Sequence, residues 1–312
     1  MKIGEIVLNN IRNKKDFIRF MDELNLEGET FIIKPNWVDC RKGSFTEARI
    51  LELIFDYLKG KKLFIIESYT SWRNEPYFNG EKVDHSDLAE GKLKWTWFKE
   101  QDNWFLNNTN IKNLLEKYGV EYINITNEVW KGEVADNNLI KKLAEKKFRP
   151  LAFKEFYSYV PKKLFELKDA TLISLSKIKT ERLPFGVSAS TKNIFGLIPD
   201  PCRHKYHGKN HKLISQSILD INKIYRTLFK TVFVVEGIYT SMIDYMTSNK
   251  LVENLGIIFG GKNSVEVDSI LLNMNNLDYR DVDYLLLAEK EFGGFNRDIF
   301  RYIPTKFLKS LK

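Results

Sequence analysis

Residues 30–67 read TFIIKPNWVDCRKGSFTEARILELIFDYLKGKKLFIIE, and their pattern decides the fold. Thr30 to Lys34 is a short apolar run stopped by Pro35, which predicts a buried strand. Thr46 suits the N-cap of a following helix, and Ile50, Leu51, Ile54 and Leu58 line one face of it. Lys62 to Glu67 is a second apolar run. Strand, helix and strand in this order form a βαβ unit, which predicts a parallel sheet with a right-handed crossover.

The alternation extends to both sides. Ile3 to Leu8 reads as a strand and Asp16 to Leu24 as a helix. Beyond the insertion discussed next, Ile111 to Tyr118 and Leu213 to Leu228 have helical spacing. Val120 to Ile125, Thr171 to Leu175, Val232 to Val235 and Leu255 to Phe259 read as strands, and Phe156 to Val160 looks extended. Ser264 to Leu272 and Val282 to Lys290 read as helices, and Lys306 to Lys312 as a frayed end. Tyr69 to Phe105 breaks the pattern. It carries four of the six tryptophans (Trp72, Trp95, Trp97 and Trp104) and little periodicity. The expectation is one α/β domain over residues 1–312, with a mainly parallel sheet flanked by helices. Residues 69–107 are an aromatic-rich insertion or cap after the third strand. Such a segment can be a lid over a site or plain packing against the sheet.

Composition narrows the function classes. An apolar share of 43% with 29% charged residues is that of a soluble globular chain. The opening MKIGEIVLNNIRNKKDF lacks the apolar core of a signal peptide, and no run approaches the roughly 18 apolar residues of a membrane span. A cytoplasmic location without a membrane partner is expected. Cys40 and Cys202 are the only cysteines. They are too few for a disulfide framework or for the four thiolates of an iron–sulfur cluster. The net charge of +8 fits either a polyanionic partner or a lysine-rich surface. The lysines are scattered, as at Lys162-Lys163, with no arginine-rich helix or zinc-finger spacing. A small anionic molecule is therefore expected as partner and nucleic acid is not. Nucleophile-elbow, H-E-x-x-H and kinase motifs are absent.

In an open α/β sheet, ligands bind beyond the carboxyl ends of the strands. Lys34-Pro35-Asn36-Trp37, Glu67-Ser68, Lys177, Lys179 and Thr180, Glu236-Gly237 and Gly260-Gly261 all follow predicted strands. The segment Ser188-Ala189-Ser190-Thr191-Lys192-Asn193 adds small side chains. A helix starting near Thr191 would aim its amides at an anion. A capped helix start with a solvated Lys192 is the ordinary alternative, and the Walker glycines are missing. The expected site has Lys34, Lys179 and Lys192 binding the anion, with Asn36, Ser188, Ser190 and Asn193 orienting it. His204 or His207, with Glu67 or Asp268, would move protons. Asp268 also reads as a simple helix-start acid.

Cys202, His204, His207 and His211 have the right side chains for a transition metal. On one helix the three histidines would share a face, although Gly208 and Asn210 weaken a helix there. The pattern C-x-H-x2-H-x3-H matches no defined zinc signature. Arg203, Lys205 and Lys209 lie between these residues and make the local field positive, which opposes a cation. An acid–base histidine, an anion-binding histidine and plain surface residues stay open beside the metal.

Several of these motifs recur in a fixed order. They are K-P-N (Lys34, Pro35, Asn36), Thr46, Glu67, K-x-K-T (Lys177, Lys179, Thr180) and S-x-S-x-K-N-x-F-G (Ser188, Ser190, Lys192, Asn193, Phe195, Gly196). Glu236-Gly237 and G-x-x-x-V-x-V-D (Gly261, Val265, Val267, Asp268) complete the set. From about Ile32 to Asp268 the chain resembles the family called "domain of unknown function 362". It departs from that pattern at Glu181, where relatives often carry His, and at Glu236, where they often carry Asp. It has neither the ferredoxin-like cluster segment nor the export signal of many relatives. The resemblance implies an association with iron–sulfur or redox enzymology. From it comes a second expectation, a non-catalytic binding or electron-transfer role beside a redox partner protein.

Overall fold

The computed structural model describes residues 2, 3, 5–74, 91–180, 186, 187, 189–245, 248 and 250–294. In chain order its elements begin β1 (Lys2–Ile3), β2 (Ile6–Asn10), α1 (Lys14–Leu24), β3 (Thr30–Lys34), α2 (Ala48–Tyr57) and β4 (Lys62–Glu67). Next come α3 (Trp95–Asn108), α4 (Ile111–Tyr118), β5 (Glu121–Asn124), α5 (Ile125–Lys131), α6 (Asn137–Lys147), α7 (Lys162–Glu166) and β6 (Thr171–Lys177). The remainder is α8 (Ser190–Asn193), α9 (His204–His207), α10 (Ile214–Leu228), β7 (Lys230–Gly237), β8 (Thr240–Ile243), β9 (Lys250–Glu253), β10 (Ile257–Gly261), α11 (Ser264–Met274) and α12 (Asp283–Phe292).

Eight strands form one sheet in the order β1-β2-β10-β7-β6-β3-β4-β5, and β8 pairs with β9 in a separate two-stranded sheet. The five strands from β7 to β5 are parallel. Strands β10, β2 and β1 add an antiparallel flank. The fold is thus α/β with a mainly parallel sheet. Its order reverses at β3. The chain moves outward from β3 to β4 and β5, then returns to the other side of β3 for β6 and β7. A crevice opens at such a reversal because the two following connections leave on opposite faces.

Strand residues alternate between two cores, as a sheet covered on both faces requires. Ile32, Phe64, Ile66, Leu172, Phe233 and Val235 face one, where Ile140 of α6, Ile218 of α10 and Val267 and Ile270 of α11 cover them. Phe31, Ile33, Ile65, Ile173, Leu175 and Val234 face the other, covered by Phe17 and Phe20 of α1, Ile50 and Ile54 of α2 and Leu115 of α4. Each buried aliphatic or aromatic side chain contributes about 1.5–3 kcal/mol of transfer free energy, before conformational entropy is subtracted.

Four local expectations change. The strand expected over Ile3 to Leu8 is two short strands, β1 and β2, paired antiparallel. Phe156 to Val160 is not extended: Lys154–Ser158 is a 3-10 turn, with Phe156 stacked on Phe153 and tilted against Tyr206. The N-cap of α2 is Glu47 rather than Thr46. Thr46 instead accepts the Asn36 N–H at 2.9 Å and donates its own N–H to the Asn36 carbonyl at 2.8 Å, which closes the K-P-N loop on itself. The described part of residues 69–107 is mostly helix: α3, fourteen residues long, begins at Trp95 and ends one residue beyond, at Asn108.

Candidate functional site

The reversal point is bridged by one side chain. The Asn193 amide nitrogen donates to the Lys34 carbonyl on β3 at 3.1 Å and to the Ser174 hydroxyl on β6 at 3.0 Å. Its oxygen lies 3.4 Å from Lys34 Nζ. Lys34, the last residue of β3, is buried and pairs with Glu67, the last residue of β4, at 2.9 Å. The amine also donates to the Pro35 carbonyl. Glu67 accepts backbone N–H groups from Trp37 at 3.3 Å and Ser68 at 3.0 Å. Burial lowers the Lys34 pKa, and the adjacent Glu67 carboxylate opposes that shift without cancelling it. Neighbouring strand ends thus carry an amine and a carboxylate in direct contact.

Two arginines flank this pair. Arg73 is buried and pairs with Asp102 of α3. It also donates to the carbonyls of Trp37 at 3.0 Å and Ser68 at 2.6 Å. Arg203 is 8% exposed, and its Nη2 donates to the carbonyls of Tyr69 at 3.1 Å and Gly196 at 2.8 Å. No carboxylate among the described residues accepts from this guanidinium, and its Nε is buried without a partner. Burial pulls the Arg203 pKa down to about 10, against the attraction of Glu67. In the sequence Arg203 is one of three cations interleaved with the histidines. Only the folded chain turns it inward, at a left-handed φ of 55° just before α9.

A second polar group lies beyond β6. Lys179 donates to Asn36 at 3.2 Å and sits over the Tyr245 ring, 4.6 Å from its centre. Tyr245 donates to Asp39 at 2.7 Å, and Asp39 also pairs with Arg41 at 2.6 Å and accepts from Ser44. Burial alone would raise the Asp39 pKa, but these bonds together hold it below the usual range. Lys177 and Glu236 form a fully buried pair at 2.8 Å, with Glu47 3.7 Å from the same amine. Asn36, Lys34, Asn193, Glu67 and Lys179 are therefore all brought to one edge of the sheet.

Asp268 is turned elsewhere. It lies in the second turn of α11, fully buried, and accepts the backbone N–H groups of Ser190 at 2.7 Å and Thr191 at 2.9 Å. The amides expected to meet an external anion hold the chain's own carboxylate. Burial raises the Asp268 pKa to about 6 despite those bonds. Ser188 lies outside the described residues, as does Glu181. Lys192 is partly exposed and contributes to the positive field at His207.

The four metal candidates do not converge. Cys202 is buried with Tyr69 and Phe98, in a cluster that Trp95, Trp97 and Trp130 complete. Burial raises its pKa, as it raises that of Cys40 to about 12, so neither thiol is activated. His204 is exposed. His207 and His211 do meet, Nδ1 to Nδ1 at 3.0 Å. Among the described residues no group of three or more His, Cys, Asp or Glu side chains could hold a metal ion. No helix there is long and apolar enough to cross a membrane.

Residues 32–273 match the model of the family described as Domain of unknown function (DUF362), and the chain belongs to that family. No curated protein and no solved structure matches the chain.

Proposed function

We propose that the chain is an enzyme that binds a small anionic molecule, a carboxylate or a phosphate, beside the Lys34–Glu67 pair. One observation carries the reading: among the described residues no carboxylate accepts from the buried Arg203 guanidinium, and none bonds its Nε, beside that pair. A buried cation costs several kcal/mol unless an anion compensates it. A ligand carboxylate or phosphate would do so through charge-assisted hydrogen bonds. Lys34, with its lowered pKa, would act with Glu67 as the proton-transfer couple. Asn193 and Asn36 would hold the two lysine amines in place. Lys192 would form an outer rim whose positive charge, felt at His207, draws the anion in. The Arg73–Asp102 pair ties α3 to this edge, which supports reading residues 69–107 as a cap within one α/β domain.

The test uses untagged protein purified without chelator. Denaturation is expected to release a carboxylated or phosphorylated metabolite in near one-to-one amount, identified by mass spectrometry. Arg203→Met and Arg203→Lys, checked for fold by circular dichroism, should lose it and retain it weakly, respectively. Retention by Arg203→Met at the wild-type level would remove Arg203 from the site. A protein that releases no anion, yet leaves native lysate in a stable complex, would instead favour the partner role in a redox system.

A further inference from the structure

We infer that His207 and His211 form a binding site for a divalent transition metal of the zinc and nickel class. The two Nδ1 atoms face each other at 3.0 Å, with ring centres 5.3 Å apart and planes at 64°. Metal–imidazole bonds are about 2.0–2.1 Å long, so a metal bound to both nitrogens at this spacing would subtend an angle of roughly 90°. The two nitrogens are thus near the separation that two ligands of one metal take, about 2.9 Å at a right angle and about 3.3 Å at the tetrahedral angle.

The chain invests structure in that meeting. His207 closes the short helix α9, and its ring rests edge-on against Phe195 at 5.4 Å, which fixes its direction. The next four residues then reverse the chain through three left-handed positions: Gly208 at φ 68°, Asn210 at 52° and His211 at 59°. Left-handed non-glycine residues are uncommon, and each is held against a local cost on the order of 1 kcal/mol. The turn brings His211 back over His207. Leu213 packs within 3 Å of where a Gly208 β-carbon would lie, so the turn admits no larger residue there without a shift.

Without metal, one ring carries a proton on Nδ1 and donates it to the other. Metal binding requires that proton on Nε2 instead, a tautomeric change that leaves both rings neutral. Imidazole ligands suit zinc and nickel, and two of them leave further coordination positions open to water or to an anion. Besides His211, Lys192, Arg203 and His204 place positive charge at His207, Lys192 most strongly, and all three oppose a bare cation. An anionic further ligand on the metal would relieve that repulsion, and Lys192 sets how strongly it is needed.

Calorimetric titration of the untagged full chain with zinc chloride and with nickel chloride tests the site. One metal per chain is expected. His207→Ala and His211→Ala should each weaken binding by on the order of tenfold or more, since each removes one of two ligands. His204→Ala, which removes no ligand, should not weaken binding, and Lys192→Met should strengthen it. Circular dichroism of each variant separates lost ligands from lost fold, and His211→Gln gives an exposed, size-matched second variant. Absence of binding to the wild type would overturn the inference. So would wild-type affinity in both histidine variants, or a loss in His204→Ala equal to theirs.

Discussion

Gly196 stands where the amine of Lys34 needs room: a β-carbon there would lie 2.9 Å from Lys34 Nζ and 3.2 Å from Glu67 Oε1. The amine cannot swing aside freely, because Glu67, Pro35 and Asn193 hold it. Gly196→Ala is therefore expected to cost about 1–3 kcal/mol, the usual range for overpacking a filled interior. Denaturant unfolding checks this. An unchanged midpoint would mean that the lysine is held less firmly than its contacts imply.

The Lys177–Glu236 pair offers a cleaner separation of charge from packing. Both side chains are fully buried, and Glu236 also accepts the Ile238 N–H at 3.1 Å. Glu236→Gln leaves Lys177 charged and poorly matched, for an expected loss of about 3–5 kcal/mol. The double change Lys177→Met with Glu236→Gln should recover part of that loss. A double-mutant cycle on unfolding free energies reads the coupling, and additive losses would deny it.

Thr46 gives a third case. Its hydroxyl accepts the Asn36 N–H, and it is fully buried. Thr46→Val keeps the shape and removes the acceptor, leaving a buried N–H unpaired at an expected cost of about 1–3 kcal/mol. Thr46→Ser should restore most of the stability, and equal losses in both variants would point to packing.

Asp268 predicts a pH dependence. Its pKa is raised to about 6 by burial, so the native state holds the proton more tightly than the unfolded chain does. Ionisation therefore works against folding. The stabilisation is complete below the unfolded value near 4 and is lost as pH rises through about 6. Between those limits the change is on the order of 3 kcal/mol. Unfolding free energies measured from pH 4 to 7 should fall more steeply for the wild type than for Asp268→Asn. Parallel curves would show that Asp268 does not titrate in that window.

The strands were legible because both cores draw on one repeated signal. Thr30 to Lys34, Lys62 to Glu67 and Thr171 to Leu175 are apolar on both faces and end in lysine or at polar residues. Helix α3 was not legible, because its inward face is Phe98, Asp102, Phe105 and Leu106. A carboxylate occupies the middle of the stripe, and its reason, Arg73, lies 29 residues earlier. Helix α6 buries only Ile140 and Ala144, too few to set a period. The antiparallel flank left no mark either, since strand direction is fixed by partners and not by composition. At the site, Lys34, Asn36, Glu67 and Lys179 could be found by their place after strands, and Asn193 by the small-residue segment that ends in it. Arg203 could not, since nothing local distinguishes an arginine that turns inward from one in water.

The antiparallel flank also constrains the order of assembly during synthesis. Strand β2 pairs only with β1 and with β10, whose residues emerge about 250 positions later. The parallel strands can assemble around β3 as they leave the ribosome, while Ile6 to Leu8 keep an apolar edge waiting. Contacts of such sequence separation form late and slowly. The first strand is thus the last to be enclosed, and a nascent chain halted before Ile257 would carry it exposed.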